Sequence, residues 1–124
     1  MTDLLFKKES YKIIGKCFQV HNNLGPGFLE IVYKDALEYE FLQAGIFYSR
    51  EVEYKVNYKG IILPHKFFAD FVVFNKIILE VKGIEGLAKE HVAQTINYLK
   101  ATGLHVAVLV NFGNPKLEYR RLHD

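Results

Sequence analysis

The sequence predicts an α/β domain: a mixed β-sheet flanked by helices, in the order α-α-β-β-β-α-β, with a further short strand allowed at the end. Three observations predict it. Over the first 44 residues, apolar side chains recur at helical spacing. Over residues 51–58 the period falls to two. Beyond that, residues 67–74, 77–82 and 104–112 are almost continuously apolar, with a helical stretch between the second and third. Runs of that kind are central strands covered on both faces.

The elements follow in order. Residues 3–23 form a first helix, with Ile13, Cys17, Val20 and Leu24 as its inward stripe. Leu24-Gly25-Pro26-Gly27 breaks it, because Gly and Pro reset the backbone. A second helix covers 28–44, ends at Gly45, and turns Leu29, Tyr33, Leu37, Phe41 and Ala44 inward. Residues 51–58 alternate apolar and polar, as a strand with one wet face does. Lys59-Gly60 is a turn. Strands at 67–74 and 77–82 are joined through Asn75-Lys76. A third helix at 87–102 is capped by Gly103. The strand at 104–112 returns to the sheet as a parallel crossover. Residues 116–122 supply the short edge strand.

The whole chain excludes several classes. Its 124 residues suit one domain, 1–124, with one core. No segment approaches the roughly 18 apolar residues of a membrane span, and the N-terminus lacks the apolar run of a signal peptide. Cys17 is the single cysteine, so no internal disulfide forms and a reducing cytoplasm is the expected location. His21, His65, His91, His105 and His123 lack the close His/Cys spacing of a zinc site. A net charge of +2 permits a polyanionic partner without demanding one.

Charges inside the apolar strands carry the chemistry, because a buried charge is costly unless paired or bound to metal. Asp70 interrupts one strand, and Glu80 and Lys82 end the next. Residues two apart share a face, so Glu80 and Lys82 project together and Val81 opposes them. Two carboxylates on neighbouring strands can hold Mg²⁺, a hard ion that prefers oxygen, and a nearby Lys can orient water or offset phosphate charge. A Glu–Lys ion pair at a strand end, with Asp70 capping a bend, explains the same residues without metal. The hairpin loop separates the two. A two-residue loop pairs Asp70 with Val81 and puts it on the face opposite Glu80. A three-residue loop or a bulge brings Asp70 beside Glu80. The metal reading therefore predicts an irregular hairpin.

Glu30 lies on the helix face of Tyr33, Leu37 and Phe41, either as a further acid for the site or as a first-turn charge suited to the helix end. Gln94 and Tyr98, four apart on the third helix, point one way. They either contact a phosphate or support Lys82, or they are the polar flank of an amphipathic helix. Lys8, Lys12 and Lys16 stripe the first helix, which reads first as a solvated face and second as a nucleic-acid contact.

Gly27-Phe28-Leu29-Glu30-Ile31-Val32-Tyr33 matches the G-x-x-E-x-x-Y signature of the GxxExxY family. Ala69-Asp70 followed by Glu80-Val81-Lys82 resembles the acidic motifs of the PD-(D/E)XK nuclease superfamily, with Ala69 in the proline position. Gln94-Thr95-Ile96-Asn97-Tyr98 resembles the Q-x-x-x-Y motif of its RecB-like and Cas4-like branch. The resemblance spans about residues 13–112 and implies a restriction-endonuclease-like fold. It implies that Asp70, Glu80 and the Val81 carbonyl bind Mg²⁺ or Mn²⁺, with Glu30 as an additional acidic ligand. Lys82 would position the attacking water, and Gln94 and Tyr98 would support the site or the nucleic-acid backbone.

The function so implied is a metal-dependent nuclease that hydrolyses phosphodiester bonds, in DNA first. A module on the same fold that binds nucleic acid or assembles a complex without cleaving is the alternative. A structural α/β domain with a buried ion-pair network is the third. The chain leaves little room for a sequence-reading domain, so dimerisation, a partner protein or substrate shape would supply specificity.

Overall fold

The computed structural model describes residues 5–124. Its elements run α1 (Lys7–Leu24), α2 (Glu30–Ala44), β1 (Tyr48–Tyr58), β2 (Ile61–Val73), β3 (Ile77–Lys82), α3 (Lys89–Thr102), β4 (Val106–Asn111) and β5 (Glu118–His123). The expected order is therefore observed, final strand included. The predicted start of the first helix, at residue 3, lies outside the described residues.

The five strands form one sheet in chain order. All pairings are antiparallel except β3 with β4, which run parallel across the α3 crossover. α1 and α2 cover one face. Ile13, Cys17, Val20, Tyr33, Leu37 and Phe41 pack there against Phe71, Leu79, Val108 and Val110. α3 covers the other face, where Leu99 meets Ala69, Val72, Ile78 and Ala107. Every residue of β4 is buried, and β3 is buried as far as Val81, so the continuous apolar runs have two covered faces. Left-handed glycines, Gly45 and Gly103, end α2 and α3.

Two residues predicted to face inward do not. Leu29 is 75% exposed, because it precedes the first helical turn in extended backbone. Ala44 is exposed in the last turn of α2. The first two strands also run longer than their apolar pattern. β2 begins at Ile61 and carries Pro64. The β1–β2 register shifts between Lys55 and Asn57, opposite the stretch that contains Pro64. β3 pairs with β2 only over Val73 to Phe71, so near Pro64 β2 is hydrogen-bonded to β1 alone. A proline is tolerated at such an irregular edge.

The β2–β3 hairpin has a three-residue loop. Val73 pairs with Ile77, and Phe74 and Asn75 both take left-handed backbone, φ 58° each. This is the irregular hairpin that the metal reading required.

Candidate active site

The β2–β3 ladder stops at Phe71 opposite Leu79. Continuing that register places Asp70 opposite Glu80, and there side chains replace backbone pairing. The Val81 N–H donates to Asp70 Oδ2 at 2.7 Å, and the Asp70 N–H approaches Glu80 Oε1 at 3.4 Å. The alternation of β2 slips at the same point. Ala69 and Val72 pack on the α3 side, whereas Phe71 and Val73 pack on the α1–α2 side. On β1, opposite the slip, Glu51 adopts left-handed backbone with φ 55°. Such a conformation costs a residue with a Cβ on the order of 1 kcal/mol or more. The strands therefore turn over at Asp70, which points its carboxylate out of the regular sheet.

Glu80 is 5% exposed, and burial pushes its carboxyl up to about 9. The negative charge of Asp70 adds to the shift, and Lys82 opposes it. Between the unfolded value near 4.5 and about 9, the unfolded chain has released this proton and the folded chain still holds it. Folding stability therefore falls as pH rises through that window, and the cost is complete above it. Glu80→Gln removes the slope. In chelator-treated protein its Tm advantage over wild type should widen from about pH 5 to about pH 9 in calorimetry. An advantage constant across that range would clear Glu80 as its source.

Lys82 shares the Glu80 face by strand alternation, and its carbonyl accepts the Phe112 N–H at 2.8 Å. Among the described residues its ammonium has no carboxylate within 4.0 Å. The simple Glu80–Lys82 ion pair is therefore absent. Glu30 caps the end of β3, with Oε2 accepting the Gly83 N–H at 2.9 Å. Among the described residues, no three Asp, Glu, His or Cys side chains cluster closely enough to hold one ion. The structure thus brings Asp70 and Glu80 together and leaves Glu30 one step away, on the strand terminus. Val81 meets Asp70 through its N–H. Gln94 is exposed on α3. Tyr98 stacks on Phe67 at 4.3 Å, and Phe67 stacks in turn on Tyr54 at 5.4 Å. Burial raises the Tyr98 hydroxyl, and the charges of Glu80 and Asp70 raise it further, so Tyr98 stands within electrical reach of both acids.

Three contributors escaped the sequence reading. Lys34, four residues after Glu30 on α2, donates to Asp70 Oδ1 at 3.0 Å and forms an ion pair with Glu51. Burial works against its charge, but hydrogen bonds to Glu51 and Asp70 outweigh it and hold the ammonium above its ordinary value. The i to i+4 spacing from Glu30 was the available signal for Lys34. Glu51 gave none, because it reads as the wet side of an alternating strand. The third is the buried Asn111. Its side chain accepts the Ile84 N–H at 2.9 Å and donates to the Ile84 carbonyl at 3.0 Å. It thereby fixes the backbone just beyond Lys82. Tyr33, the last letter of G-x-x-E-x-x-Y, also has a structural task. Its hydroxyl donates to the Gly25 carbonyl at 2.6 Å and accepts the Phe28 N–H at 3.2 Å, tying down the loop that leads to Glu30.

Asp70 and Glu80 make a donor set of hard oxygens, and burial first, with the Asp70 charge second, favours the protonated form of Glu80. That set fits a hard divalent ion, which commonly takes one or two carboxylates and leaves the rest of its shell to water and substrate phosphate.

Among curated proteins, none matches. Among solved structures, the chain is similar to the crystal structure of SSO0001, with a TM-score of 0.60 and 21% identity. The match covers 75% of this chain and 48% of that one, so this chain spans about half that protein's length. At this identity the likeness establishes the fold alone. A family model, that of the PD-(D/E)XK nuclease superfamily, matches residues 7–122. With nearly its whole length so matched, the chain belongs to the PD-(D/E)XK nuclease superfamily.

Proposed function

We propose that this protein hydrolyses phosphodiester bonds in DNA with Mg²⁺ or Mn²⁺, through a site built on Asp70, Glu80 and Lys82, within the GxxExxY branch of its superfamily. The observation that carries the reading is the turnover of β2 at Asp70. It sets a carboxylate from one strand beside the buried Glu80 of the next, and it is made possible by the three-residue hairpin.

Asp70 and Glu80 would hold the ion, with the Val81 carbonyl and Glu30 as further donors. When bound, a divalent ion supplies charge stabilisation to the phosphoryl group and acidity to water. Lys82 projects on the Glu80 side, and among the described residues its ammonium has no carboxylate partner, so it can orient the attacking water and balance charge growing on the phosphate. Hydrolysis joins the water oxygen to phosphorus and releases the sugar oxygen. Gln94 and Tyr98, on α3, would support the site or engage the nucleic-acid backbone. A partner protein or a second copy of the chain would add specificity.

Purified protein incubated with single-stranded, duplex and branched DNA tests the proposal. Cleavage should appear with Mg²⁺ or Mn²⁺, vanish with EDTA, and fall by on the order of 10²-fold or more in Lys82→Ala. Cleavage that persists in EDTA, or that is unaltered in Lys82→Ala, would sink it. A second reading, a module that binds nucleic acid without cleaving, draws on one observation: a protein cation, Lys34, already sits on Asp70. Metal-independent DNA binding with no cleavage of any substrate would favour it.

A further inference from the structure

The Lys34 ammonium lies between two carboxylates, Asp70 on β2 and Glu51 on β1. A cation bridging two acids on neighbouring strands is what the second ion does in two-metal phosphodiester centres, whose ions sit about 3.5–4 Å apart around a shared carboxylate. Here the shared carboxylate is Asp70. Its Oδ1 faces Lys34, and its Oδ2 takes the Val81 N–H on the side of Glu80.

Three features show that the ammonium is built in. The Lys34 side chain is only 12% exposed, so it is not a surface lysine that happens to swing in. It projects from α2 one turn after Glu30, on the same helix face. Glu51 meets it from a left-handed backbone position within β1, a conformation that an ordinary strand residue avoids. Local backbone strain is thus accepted at the residue that completes the clamp.

We propose that Lys34 permanently fills the position of a second metal ion, so that this centre takes a single divalent ion, on the Asp70–Glu80 side. The inference rests on the metal-dependent reading above. A lysine in this place supplies one fixed positive charge beside the reacting phosphate at any metal concentration. It also denies Asp70 Oδ1 to a second ion, because a divalent cation and an ammonium cannot share that oxygen without strong repulsion.

The test counts bound Mn²⁺ per chain at saturation, by electron paramagnetic resonance of the free ion and by calorimetry, on the full chain without nucleic acid. Wild type should bind one. Lys34→Met should bind two, with Glu51 and Asp70 now open to the second ion. Lys34→Arg, which keeps the charge, should bind one. Lys34→Gln is one bond shorter but neutral and still able to donate a hydrogen bond to a carboxylate, so it serves if the Met variant does not fold, and it too should bind two. Lys34→Met combined with Glu51→Ala should return to one. Two ions in wild type, or one in both neutral variants, would overturn the inference and leave the one-site nuclease reading standing. No ion in wild type would overturn the metal-dependent reading itself.

Discussion

Asp70→Asn is expected to reduce metal-dependent cleavage by on the order of 10²–10³-fold or more while the protein stays folded. The substitution removes the charge that a divalent ion requires, and it keeps an acceptor oxygen for the Val81 N–H. Its effect on stability is the balance of two opposed changes. Lys34 loses one of its two carboxylate partners. Glu80 loses the negative neighbour that helps push its carboxyl upward. The ion pair between Lys34 and Asp70 is partly buried, so its loss is felt. Relief at Glu80 offsets it, and the melting temperature should move by no more than a few degrees. Cleavage and thermal melting measured on the same preparation separate the readings. Full activity in the variant would remove Asp70 from the site. Collapse of the fold would instead favour a structural ion-pair network centred on Asp70.

Gly113→Ala is expected to be the most destabilising small change near the site. A Cβ at this position would stand 1.9 Å from the Ile84 carbonyl oxygen and 2.5 Å from its nitrogen. Both are backbone atoms, and Asn111 clamps both groups of that peptide residue. The segment cannot yield without giving up these hydrogen bonds, so overpacking and lost hydrogen bonding act together. About 3 kcal/mol is the expected cost, or a fall of about 10 °C in Tm for a domain of this size. Because Gly83 adjoins Ile84 and donates to Glu30, the displacement also reaches the end of β3. A variant that melts within about a degree of wild type would mean that the two segments slide freely past each other.

The sequence and the structure agree where one physical rule governs. The buried strands β3 and β4 and the caps at Gly45 and Gly103 each follow from local composition, and the structure has them. The juxtaposition of Asp70 and Glu80 was legible for a different reason: two loop lengths gave two opposite faces, and only one could serve a metal. What could not be read depended on the sheet changing face. Alternation across residues 51–58 marks Glu51 as a solvent-facing residue, yet its left-handed backbone sets it against Lys34. The start of β2 was hidden because residues 61–66 include Pro64, and the first half of the strand has no apolar-in, polar-out rhythm. Leu29 misled because helical spacing says nothing about where the first turn begins. Asn111 passed as one polar residue in an apolar run, although two of its four hydrogen bonds hold Ile84, just after Lys82, and the others tie in Glu118 and Gly113.

The hairpin loop of Phe74, Asn75 and Lys76 sets the phase in which the end of β2, from Asp70 to Val73, meets β3. Most surface loops accept a residue more or less, since closure entropy changes little with length. This one behaves as a reading frame. Removing a single residue would slide β2 by one position against β3, and every side chain of β2 would exchange the face it shows to its neighbours. Phe71 and Val73 would leave the core on the helix side, and Asp70 would no longer stand opposite Glu80. Length variation tolerated elsewhere on the surface should therefore be lethal at this turn, both to folding and to the site, even with every acidic residue still in place.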